Sequence, residues 1–281
     1  MYKHIGVALD ASTYTVAAQT LAVDLASRLD ATVHGIHVID ASFIEGAFIT
    51  DISGAMGFEP FLNLQAQMRD TLEEFADVIR TRFAEQCESA GVTSDFHLER
   101  SGVVSGILES VKLVDLLVIG QRGVNARFHE DLLGPTTEVL LRRSPVPLLV
   151  VPEAVAPPHR PLAAYDGSAK AARALQHAGE LCRNLSLPLT VVTVEDRADL
   201  ARTRLDEAAE YLKPYGVETE FRHEPGEAVE EVLLSLLDPA RHDLVFLGAH
   251  GHSRIVELVL GSTSEYLARR SPVPVLCVTQ P

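Results

Sequence analysis

A chain of 281 residues with 47% hydrophobic and 22% charged residues has the composition of a globular protein of about two domains, which excludes extended disorder. Its formal net charge of −15 excludes a general nucleic-acid binder, because phosphate backbones require a basic surface. Met1-Tyr2-Lys3-His4 runs straight into a strand pattern, and no apolar run approaches the roughly 20 residues of a bilayer span, so the sequence predicts a cytoplasmic protein with no membrane partner.

In chain order, residues 5–9 read as a strand and 16–29 as a helix with Leu21, Leu25 and Leu29 on one face. Residues 32–39 form a second strand. A long helix is predicted over 64–87, with Leu64, Met68, Leu72, Phe75, Ile79 and Phe83 as its apolar stripe. A strand at 94–98, a helix at 103–111, a strand at 116–119, a helix at 136–143 and a strand at 147–151 complete the first half. Alternation of this kind predicts a parallel sheet covered by helices on both faces, with ligands beyond the carboxyl ends of the strands.

The pattern then repeats. Arg142-Arg143-Ser144-Pro145-Val146-Pro147 corresponds to Arg269-Arg270-Ser271-Pro272-Val273-Pro274, and Asp10-Ala11-Ser12 to Asp166-Gly167-Ser168. These offsets make the first half 29 residues longer, most of it in an insertion at 40–67. The expected organisation is a first domain at 1–152, a linker at 153–160 around Pro157-Pro158, and a second domain at 161–281. Asp10, Val38 and Gly120 end strands in the first half; Asp166, Val194 and Gly248 do so in the second. Cys87, Cys182 and Cys277 lie far apart in apolar surroundings, which fits a reducing compartment.

Gly248-Ala249-His250-Gly251, with Gly261-Ser262-Thr263 further on, follows an apolar strand and precedes a helix. Glycines allow close backbone approach, and free N–H groups at a helix start attract anions. Ser262-Thr263-Ser264-Glu265 also reads as a capping box, with Ser262 as the cap. No Gly-Lys-Ser/Thr occurs, so this is not a P-loop. The first half carries an altered copy, Gly120-Gln121-Arg122-Gly123 and then Gly134-Pro135-Thr136. Pro135 stands where Ser262 does and supplies neither N–H nor hydroxyl; Thr136 and Thr137 offer partial compensation. His250 and His252 are placed to donate to phosphates when protonated, and no third ligand accompanies them as a metal site. His34 and His37 face opposite sides of one strand and form no site by themselves. Pro145 and Pro147, like Pro272 and Pro274, delete donors from one edge of the last strand and leave the other edge for a partner.

Taken together, these motifs resemble the universal stress protein family in its tandem form. The resemblance implies two α/β domains, each a five-stranded parallel sheet sandwiched by helices in the Rossmann-like manner of adenine-nucleotide α-hydrolases. The family's nucleotide-binding branch carries Gly-x2-Gly-x9-Gly-Ser/Thr, matched at Gly248, Gly251, Gly261 and Ser262. It therefore implies an ATP site, with Mg2+, in the second half, from Asp166, Val194, Gly248, Gly251, His252, Gly261, Ser262 and Thr263. Asp10, Val38, Gly120, Gly123 and Gly134 form a weaker counterpart. In the family the last strand pairs across a two-fold axis, which implies that the two halves pair as a pseudo-dimer; a further homodimer stays open. A regulatory or protective role in the stress response follows, with slow ATP hydrolysis at most. Two alternatives stand beside it: a binding module that uses residues 43–61 in place of ATP, and an adenylating enzyme of the related α-hydrolase type.

Overall fold

The structure, a computed structural model, describes residues 2–40, 60–124, 132–249 and 261–278. The first half runs β1 (His4–Ala8), α1 (Thr13–Leu29), β2 (Thr32–Asp40), α2 (Pro60–Ser89), β3 (Ser94–Ser101), α3 (Val103–Ser110), β4 (Leu116–Gly120), α4 (Pro135–Arg143) and β5 (Leu148–Val151). The second runs β6 (Pro161–Ala164), α5 (Ala169–Leu185), β7 (Leu189–Val194), α6 (Ala198–Leu212), β8 (Thr219–Glu224), α7 (Val229–Leu236), β9 (Leu244–Gly248), α8 (Ser262–Arg270) and β10 (Val275–Val278).

Local chemistry sets these boundaries and repeats between the halves. Ser12 caps α1 by accepting the Thr15 N–H, and Ser168 caps α5 by accepting that of Ala171. The cap starts α1 at Thr13, three residues earlier than hydrophobic periodicity suggests. Both helices end on a left-handed residue, Asp30 (φ 52°) and Ser186 (φ 55°). Asp115 accepts the N–H groups of Lys3 and His4, and Asp243 accepts those of His159 and Arg160. Each aspartate thereby ties the start of one strand to the start of its neighbour.

The insertion is partly helical: α2 has 30 residues where its counterpart α6 has 15. Residues 41–59 of the insertion lie outside the described residues. The buried stripe of α2 differs from the expected one. It passes through Ala76, Phe83 and Cys87, flanked by half-buried Leu72 and Ile79, and Phe75 is 48% exposed. Position 76 continues the i, i+4 row from Leu72, and alanine there packs closely, so the larger neighbour turns outward.

Among the described residues the strands form one ten-stranded sheet in the order β3-β2-β1-β4-β5-β10-β9-β6-β7-β8. Every pairing is parallel except the central one. There β5 and β10 run antiparallel, with Val150 opposite Val275, Leu149 opposite Leu276 and Leu148 opposite Cys277. All six residues are buried. The prolines explain why this edge pairs. The Pro147 carbonyl accepts from Leu117 and the Pro274 carbonyl from Val245. Their missing N–H groups therefore face β4 and β9, and the ladder at the seam is intact.

Two large apolar cores cover the two faces, and both cross the seam; a small third cluster joins Ile39 to Ala76. One unites Leu25 of α1 with Leu181 of α5; the other unites Leu140 of α4 with Leu267 of α8. Burial of each such leucine contributes about 1.5–3 kcal/mol, so the halves stabilise one another. Polar contacts join them as well. The Tyr2 phenol lies 2.7 Å from Nδ1 of His177, and Gln121, itself buried, donates from Nε2 to the Ala268 carbonyl at 2.7 Å. Cys87, Cys182 and Cys277 are free and buried.

Candidate functional site

The predicted residues that the structure describes lie at the carboxyl ends of the strands in each half, because the strand order brings β1 beside β4 and β6 beside β9. In the second half, Asp166 follows β6, Val194 ends β7, Gly248 ends β9, and Gly261-Ser262-Thr263 opens α8. Gly251 and His252, with His250, lie outside the described residues.

Val194 offers its backbone to this space. The Tyr165 N–H donates to the Val192 carbonyl, so the polar groups of Val192 face β6. Two residues further, those of Val194 face the same way, past the point where β6 ends. Val38 stands likewise beyond β1, where the Leu9 N–H donates to the Ile36 carbonyl.

Gly248, expected at the nucleotide site, also has a packing role. A Cβ there would lie 2.7 Å from the carbonyl carbon of Lys170, and one on Gly120 would lie 2.7 Å from Cβ of Tyr14. In both halves the glycine is required because the first turn of α5 or α1 packs on it. Close approach of a ligand is not needed to explain it.

The helix starts decide what each half offers. The cap of α8 is Gly261 and Ser262 is its first helical residue; no side-chain cap bond forms. The expected capping box is therefore absent, because Ser262 sits one residue too far along to reach the Glu265 N–H. That N–H instead bonds the Gly261 carbonyl at 3.1 Å. Ser264 donates to the Gly248 carbonyl at 2.9 Å, which pins α8 to the end of β9. Ser262 is left exposed and Thr263 half-exposed on the first turn, where N–H groups lack intrahelical acceptors. In the first half Gly134 is the cap and Pro135 the first helical residue. Thr137 donates to the Gly120 carbonyl at 2.9 Å, so its hydroxyl is committed and does not replace what Pro135 removes.

Among the described residues the aspartates differ at one position, where Thr15 of the first half corresponds to Ala171 of the second. Oδ1 of Asp166 accepts the Ser168 N–H at 2.9 Å. Oδ1 of Asp10 accepts the equivalent Ser12 N–H at 2.8 Å and also the Thr15 hydroxyl at 2.6 Å, while Oδ2 accepts the Val124 N–H at 3.2 Å. Arg122 then spans the first-half mouth. It donates to the Tyr14 hydroxyl and to the Leu132 carbonyl, each at 2.9 Å.

A family model for the universal stress protein family matches residues 1–152 and again residues 159–279. The chain belongs to the universal stress protein family. It is 30% identical over 284 aligned residues to a universal stress protein of Synechocystis sp., with 98% of this chain and 99% of that protein covered. A universal stress protein of Mycolicibacterium smegmatis is 23% identical, with 97% of this chain and 95% of that protein covered. The crystal structure of a universal stress protein from Archaeoglobus fulgidus superposes with a TM-score of 0.75 at 22% identity, covering 99% and 98% of the two chains. That likeness shows the fold.

This universal stress protein also carries residues at the second-half rim that the motif reading misses. Gly167 has φ +81°, and the Arg204 side chain lies 3.5 Å from where its Cβ would be. Arg204 in turn pairs with Glu195 at 2.9 Å, both mostly buried. Glu195 directly follows Val194, so the pair borders the Asp166 turn. Arg204 lies mid-helix in an unremarkable charged stretch, where no local motif signals it.

Proposed function

We propose that this member of the family is an ATP-binding regulatory or protective protein of the stress response, with the nucleotide held in its second half and Mg2+ on the phosphates. The observation that carries the reading is the contrast between the two helix starts. Ser262 presents a hydroxyl and an N–H on the first turn of α8, where Pro135 presents neither at α4; Thr263 and its counterpart Thr136 are alike. The Asp166 carboxylate and the Val194 backbone would meet the adenosine portion. Gly251, Gly261, Ser262 and Thr263 would meet the phosphates, with His252 adding a donor when protonated.

A regulatory role follows from where α8 is anchored. Gln121 of the first half bonds the Ala268 carbonyl, and Arg142 lies 3.6 Å from Glu265. A ligand at the start of α8 therefore acts on a helix that the other half grips. At a hundredfold excess over the dissociation constant, binding stabilises the loaded state by about 2.7 kcal/mol, enough to shift a modest conformational equilibrium.

Ser262→Pro tests this directly, because α4 accommodates proline at that very position. Titration calorimetry should give one MgATP per chain for the wild type and none for Ser262→Pro, with circular dichroism unchanged. A wild type that neither binds ATP nor melts higher in its presence, or a proline variant that binds as well, overturns the reading.

A further inference from the structure

At the opposite end of the sheet from the glycine loops, the amino ends of three adjacent strands place four ligating side chains together. Register explains how. His34 of β2 stands opposite Gly6 of β1 and Asp95 of β3, and Ile36 stands opposite His97. Alternate residues share a face, so His4, His34, Asp95 and His97 all project from one side of the sheet. Nδ1 of His4 lies 3.0 Å from Nε2 of His34, and Nε2 of His97 lies 3.3 Å from Oδ2 of Asp95. The His4 and His34 rings are 5.3 Å apart and the His34 and His97 rings 5.7 Å.

We propose that His34, Asp95 and His97 bind a divalent transition-metal ion of the zinc class, with His4 orienting His34 from the outer shell. One ligand atom from each of the three lies within 4.8 Å of the others. Ligands of one tetrahedral zinc ion are about 3.4 Å apart, so small side-chain rotations close the set. Two imidazoles and a carboxylate suit borderline ions better than Mg2+ or Ca2+, which prefer all-oxygen sites. The side chains of His97 and Asp95 are 41% and 62% exposed, which leaves room for a water in a remaining position.

One observation separates this arrangement from chance surface histidines. The second half holds Arg160, Thr190, Glu220 and Arg222 at the equivalent register positions, without an imidazole among them. The cluster is thus a property of the first half and is not imposed by the fold. Bound metal would fasten β3, the edge strand, to β2.

The test uses the full chain without an affinity tag, with Zn2+ in calorimetry and Co2+ as a spectroscopic probe. The wild type should bind one Zn2+ at this site and develop visible Co2+ bands. His34→Ala and His97→Ala should each weaken Zn2+ by more than the 10- to 100-fold that loss of an outer partner causes, His4→Ala by about that amount, and His159→Ala not at all. All four side chains are on the surface or half-exposed, so circular dichroism should stay unchanged. A wild type that takes up no Zn2+ at millimolar concentration overturns the proposal. So do His34→Ala and His97→Ala variants that bind as the wild type does, which would put the ion elsewhere.

Discussion

A Cβ on Gly123 would stand 2.8 Å from Oδ2 of Asp10, the same oxygen that accepts the Val124 N–H. The loop after β4 is therefore folded onto the carboxylate that ends β1. Gly123→Ala should displace Asp10 and loosen this closure at a cost of about 1–2 kcal/mol. Urea unfolding without nucleotide measures it; an unchanged midpoint would show that the contact relaxes freely.

Gly248→Ala makes a sharper case, because the obstacle is backbone. The new methyl would lie 2.7 Å from the Lys170 carbonyl carbon and 2.8 Å from the Ala171 nitrogen. Neither moves without shifting the start of α5. Overpacking of this kind costs about 1–3 kcal/mol, and the loss should appear with and without ATP. Destabilisation seen solely in the presence of ATP would return Gly248 to a ligand role.

Acid should weaken the joint between the halves. Burial lowers the His177 pKa, partly offset by Glu180, so the ring is neutral in the fold and accepts from the Tyr2 phenol. Burial raises the phenol's own pKa and keeps it a donor. Below the ordinary histidine pKa of about 6.5 the unfolded chain binds a proton that the folded chain resists. Stability is therefore present in full above that pH and falls as pH drops through 6.5 toward the folded value. Denaturant titrations at pH 7.5 and 5.5 should show a smaller acid loss for His177→Gln than for the wild type; equal losses would remove His177 as the cause.

The thiols should be silent in the native state. Burial pushes Cys182 and Cys277 up to about 12 and raises Cys87 as well. Thiolate is the reactive form, so a disulfide reagent at pH 8 should titrate all three thiols in denaturant and none in the folded protein before it unfolds. A fast-reacting native thiol would contradict the burial.

Much of this was legible in the sequence, for identifiable reasons. Repeats such as Asp10-Ala11-Ser12 and Asp166-Gly167-Ser168 give the two halves, and proline pairs point to the edge that becomes the seam. What escaped depends on register and reach. The His4–His34–Asp95–His97 cluster needs three strands aligned, and His34 looks solitary beside His37 along its own strand. Arg204 reaches Gly167 from another helix. Ser262 looks like a cap until the chain is seen to turn one residue earlier, at Gly261, and the purpose of Gly248 appears once α5 is placed against it.

The two halves finally allow a reciprocal experiment. If proline alone silences the first half, Pro135→Ser should create a second nucleotide site. The surroundings argue otherwise. Asp10 is committed to Ser12, Thr15 and Val124, and Arg122 is held between Tyr14 and Leu132 across the mouth. A nucleotide would have to break these bonds before gaining the one hydroxyl and one N–H that serine restores, each worth about 0.5–1.5 kcal/mol net. Pro135→Ser should therefore still bind one ATP per chain by calorimetry. A stoichiometry of two would show that the proline is the whole difference and that the Asp10 and Arg122 contacts yield readily.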